Sequence, residues 1–149
     1  MKTTHSNSSI KFIKWLSAED MHNNSKEWLS ELEFIKTEHL FLENIINSFA
    51  LQLIDKIYFS DSKKIIEAIN SSIRENEKLI KVIRKHENDL KIMIDEINQP
   101  KDEEEYKNEH RNITVIIHKF LKEYKLLKKD LFDMIKNIKK TQKQKRLIN

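Results

Sequence analysis

Apolar side chains recur along this chain at alternating steps of four and three. The first set reads Trp28, Leu32, Ile35, His39, Leu42, Ile46, Phe49 and Leu53. That spacing sets all eight on one stripe of a long helix. A second stripe reads Ile69, Ser72, Asn76, Leu79, Ile83, His86, Leu90, Met93 and Ile97, widened by Ile65, Ile66, Ile73, Ile80 and Ile94. A third runs Tyr106, His110, Ile113, Ile117, Phe120, Tyr124, Leu127, Leu131, Met134 and Ile138 without a slip. A strict seven-residue period predicts left-handed supercoiling at shallow crossing angles. The expected fold is all-α: an antiparallel up-down-up bundle of three long coiled-coil-like helices in one domain over residues 1–149.

Local signals set the boundaries. Ser8 or Ser9 caps a short helix from Ile10 to Leu16, too short to stand alone and expected to dock as a partial fourth member. Asp20 to Ser25 breaks the chain, and Asn24 with Glu27 forms a capping pair for the first long helix, about 25–58. Ser60-Asp61-Ser62 makes the turn into the second, about 62–98, which Asn98-Gln99-Pro100 ends. The acids Asp102 to Glu105 suit the opening turn of the third, about 102–140, and its basic last turns suit the opposite end of the dipole. Residues 1–9 and the tail from Thr141 are expected to fray.

Composition narrows the chemistry. The chain has no glycine and one proline, which argues against a sheet protein and excludes Gly-rich phosphate loops. It has no cysteine, hence no disulfide, thiolate metal site or cysteine nucleophile. Met1-Lys2-Thr3-Thr4-His5-Ser6 leads into no continuous apolar run, and no run approaches a membrane span. A cytoplasmic location is the expectation.

The three stripes share one interruption, a histidine each: His39, His86 and His110. With the first turn placed near residue 60, the helical rise sets His39 about 30 Å and the other two about 40 Å above it. Glu43, four residues after His39, has the spacing of a second ligand on the same face. His22 could reach the same upper half, whereas His118 is rotated off the stripe. One reading is a divalent-metal or di-metal site facing into the bundle. The other is a polar layer in which histidines pair with each other, with Asn76 or with Glu43, and fix helix register. If buried and neutral, such a layer is also pH-sensitive. Ser72 is taken as a packing or solvent position.

The stretches Glu38-His39-Leu40-Phe41-Leu42-Glu43, Lys85-His86-Glu87 and Glu109-His110-Arg111 resemble pieces of hemerythrin-like domains. The resemblance implies a four-helix bundle holding a non-haem di-iron centre, with His39, Glu43, His86 and His110 among its ligands. This sequence departs from that pattern in lacking a His-x-x-x-His pair, a His-x-x-x-x-Asp pair and a fourth long helix.

Charge and aromatic content add two further candidates. From Arg111 onward there are twelve basic residues against three acidic. This basic third could bind nucleic acid or an anionic membrane, with Lys139, Lys140, Lys143, Lys145 and Arg146 as the nucleic-acid candidates. Trp15 and Trp28 flank the first break and are expected to hold the short helix down or to anchor a partner. No nucleophile or convergent catalytic set stands out. The expected function is a non-enzymatic structural or interaction protein, homo-oligomeric or bound to another chain. Metal binding is the first alternative and nucleic-acid binding the second.

Overall fold

The structure, a computed structural model, describes residues 17–95 and 100–148, with side chains at 17–95 and 103–148. The regular structure among these residues is entirely helical: α1 (Ala18–Ser48), α2 (Ala50–Leu53), α3 (Phe59–Asp95) and α4 (Pro100–Ile148). The expected short helix at Ile10 to Leu16 and the expected end of the second long helix at Asn98-Gln99 lie outside the described residues.

α1 begins earlier than the Asn24–Glu27 pair suggests. Ser17 is the N-cap: its Oγ accepts from the Asp20 N–H at 3.1 Å, and the Asp20 carboxylate receives the Ser17 N–H at 3.4 Å. This reciprocal box satisfies two orphan donors and pulls Asp20 to Ser25 into the helix. The stripe therefore extends upstream, with Met21 and Ser25 buried on it.

α1 also ends early. Ser48 Oγ donates to the Asn44 carbonyl at 2.9 Å, a bond that competes with the helical ladder. Phe49 leaves the helical region at φ −110°, ψ 17°. After the single turn α2, the chain reverses over residues 54–58, where the Asp55 side chain receives the Ile57 N–H at 3.5 Å. Ser60-Asp61-Ser62 is thus no turn but part of α3. Ser62 is not a cap: its buried hydroxyl donates back to the Leu53 carbonyl at 2.8 Å and ties α3 to the end of α2.

Pro100 opens α4, where its missing N–H is no loss. α4 then continues through Thr141 to Ile148, past the expected fraying point.

The predicted seams are the core. Leu32 and Leu42 of α1, Ile83 of α3, and Ile117 and Leu131 of α4 are fully buried. Of the side chains expected to widen the second stripe, Ile80 joins the core, while Ile94 stays largely exposed, as do Ile116 and Leu126 of α4. Contacts between α1 and α3 pair rising with falling numbers, Leu32 with Asn76 and His39 with Ser72. So do those of α4 with α3 and the turn before it, His86 with His110 and Tyr58 with Thr141. α1 and α4 run together in number, Trp28 beside His110 and Glu38 beside Tyr124. Among the described residues no helix is long and apolar enough to cross a membrane.

Candidate functional site

Two polar layers interrupt the core. They are built from seam positions fourteen residues apart on both α3 and α4, which is two heptads or about 21 Å of helix.

The upper layer joins all three long helices. His86 Nε2 and His110 Nδ1 lie 2.9 Å apart, and both rings are fully buried. Tyr106 stacks flat on His86 at 4.0 Å between ring centres, and Trp28 covers His110 at 4.8 Å. Asn24 Nδ2 sits 3.2 Å from His110 Nε2. His86 Nδ1 faces the Glu109 carboxylate at 3.7 Å, beyond hydrogen-bond length. Beside the layer, His22 Nδ1 pairs with Glu87 Oε2 at 2.6 Å.

These bonds set an order of protons. The Asn24 amide nitrogen donates, so His110 Nε2 accepts and His110 carries its proton on Nδ1. That proton is given to His86 Nε2, which leaves the His86 N–H on Nδ1, facing Glu109. The opposite amide orientation would set a bare Nδ1 lone pair against a carboxylate, so electrostatics favours the first order.

The lower layer is built around His39, whose Nε2 lies 2.9 Å from Ser72 Oγ. The Tyr124 ring meets His39 edge-on at 5.3 Å, and the Tyr124 hydroxyl donates to Glu38. Lys128 Nζ binds the same Glu38 oxygen at 2.9 Å. Between the layers, Asn76 Nδ2 donates to the Leu32 carbonyl at 3.0 Å.

Burial governs the titration of these groups, because a charge in the core loses its hydration. It lowers His110 to about 4, with the His86 ring adding to the effect. It also lowers His86, against the pull of Glu109, Glu87 and Asp89, and lowers His39 against Glu38 and Glu77. Tyr106 and Tyr124 are pushed up, chiefly by burial. Burial would raise Glu38, but hydrogen bonds from Tyr124 and Lys128 outweigh it and hold the carboxyl low. At neutral pH the three seam imidazoles are therefore neutral.

The four proposed metal ligands do not converge. His86 and His110 meet, but His39 belongs to the other layer and Glu43 is exposed. The height estimate fails because the chain reverses near Asp55 rather than residue 60, which sets His39 opposite Ser72 instead of near His86. Leu42 takes the next seam position and turns Glu43 outward. Among the described residues no three histidine or acidic side chains are gathered as a metal-ligand set.

Other candidates are distributed as follows. Trp28 is a core side chain packed on His110, and Trp15, with the short helix that the pair is expected to hold down, lies outside the described residues. Lys139, Lys140, Lys143, Lys145 and Arg146 are all exposed on the last turns of α4. His22 reaches the upper half as expected, and His118 is exposed.

Sequence reasoning treated Tyr106 and Tyr124 as packing residues and missed their contacts with the histidines. Their signal was present, since each is a phenol on the stripe that carries His110. Glu38 and Glu109 stand out only as acids beside seam histidines and Asn24 only as a cap, while Lys128 carries no signal; none lies on a stripe, so periodicity could not give their partners. Ser72 takes the packing side of its two expected roles: it bonds His39 and, with Tyr124, lines a groove of about 600 Å³ between α3 and α4. No known protein family, curated protein or solved structure matches this chain.

Proposed function

We infer that this chain is a non-enzymatic interaction protein. It forms an antiparallel up-down-up bundle of three long helices, the histidine layers fix their register, and the remaining apolar surface binds another protein chain, first of all a second copy. The observation that carries this reading is an outward apolar face on α1. Phe34 and Phe41 lie one heptad apart, each more than half exposed, with Leu40 beside them. Aromatic anchors at heptad spacing, on a helix whose opposite stripe is already filled, are what helical interfaces use. The layers support a structural role for the histidines. Each buried polar bond joins two helices, as His39 to Ser72 and His86 to His110 do, and sliding by one turn would orphan both partners.

Light scattering over a dilution series tests the reading. A concentration-dependent dimer is expected, lost in a Phe34→Ser/Phe41→Ser variant that keeps its helical circular dichroism. A strict monomer at all concentrations removes self-association. Stoichiometric iron, zinc or manganese in untagged protein, lost in His86→Ala, would overturn the structural role of the upper layer.

A further inference from the structure

The end of the bundle at the first chain reversal carries features that neither the histidine layers nor the Phe34 face uses. Within nine residues of chain, Leu51, Ile54, Ile57 and Phe59 are 80%, 67%, 73% and 55% exposed. Tyr58 Oη and Thr141 Oγ1 lie 3.0 Å apart, so α4 passes this reversal at Thr141. Its last seven residues then project about 10 Å further. They end in Leu147 and Ile148, both exposed.

The same end is strongly basic. Residues 50–64 and 136–148 carry nine Lys and Arg, all exposed, against Asp55 and Asp61. Lys139 Nζ lies 5.9 Å from the centre of the Phe49 ring, which sets the basic helix against the apolar loop.

We propose that this end docks the protein on an anionic lipid bilayer, the exposed loop side chains entering the interface and the surrounding bases binding the headgroups. The combination selects the occupant. A nucleic acid rewards the bases but gains nothing from exposed Leu51, Ile54 and Ile57, which cannot stack on bases. A second copy placed end to end would set nine bases against nine. A bilayer surface takes both features: apolar side chains into the acyl boundary and cations onto its negative potential. This docking is independent of whether Phe34 and Phe41 take a partner.

Vesicle flotation with the full chain tests it. Binding is expected to be at least about tenfold stronger to phosphatidylserine-containing vesicles than to pure phosphatidylcholine, and to fall with salt. An Ile54→Ser/Ile57→Ser variant and a Lys143→Ser/Lys145→Ser variant should each lose about tenfold, with circular dichroism and oligomeric state unchanged. Three results overturn the proposal: no flotation with anionic vesicles, flotation that the Ile54→Ser/Ile57→Ser variant leaves intact, or tighter binding to duplex DNA at the same salt. The last assigns the basic end to nucleic acid.

Discussion

His110 is held between Trp28 and His86, with its two ring nitrogens engaged by Asn24 and His86. An imidazole so placed stays neutral in the folded state but titrates near its ordinary value once the chain unfolds. Its folded pKa, about 4, lies below the unfolded value of 6.5, so between them the unfolded state binds more protons. Stability is therefore full above about pH 6.5 and falls as pH drops toward 4. His110 by itself should lose about 2 kcal/mol by a pH of about 5, and His86 and His39 add in the same direction. Urea unfolding across this range checks it; a flat profile would show that the imidazoles are charged or solvated. His110→Ala should destabilise by about 2–4 kcal/mol at neutral pH, because it opens a cavity and orphans both Asn24 and His86. A His86→Leu/His110→Leu double variant should recover most of that loss and flatten the pH profile.

The helix ends are decided by side chains too local for the stripes to reveal. Ser17 and Asp20 start α1, and Ser17→Ala should cost about 1 kcal/mol, seen as faster amide exchange in the first turns. Ser48 and Asp55 end the first half of the bundle, and Ser62 ties the second half to it. At the other extreme, α4 past Gln142 is exposed and touches little of the core. Deleting residues 143–148 should leave the unfolding free energy within about 0.5 kcal/mol of the full chain, checked by the same urea titration. A larger loss would mean that the projecting turns are packed.

At the scale of the whole molecule, the heptad stripes were enough to say that the chain is helical and to place most of its buried seam, though not Met21 and Ser25, which are buried upstream of them. Leu32, Ile83, Ile117, Leu131 and the three seam histidines all fall in the core, because a period of 3.5 leaves one choice of inward face. The stripes could not say which histidine meets which. A uniform seam pairs with its neighbour almost equally well at several offsets, and moving the reversal from residue 60 to near Asp55 shifts the pairing by roughly two and a half turns. Only the tertiary structure decided that His86 meets His110 while His39 meets Ser72 two heptads away. It decided equally that Glu43 faces solvent, and that exposed apolar and basic side chains gather at one end. Burial follows from local periodicity. Partnership depends on register, which is set by a few capping and turn bonds together with the packing of three helices at once.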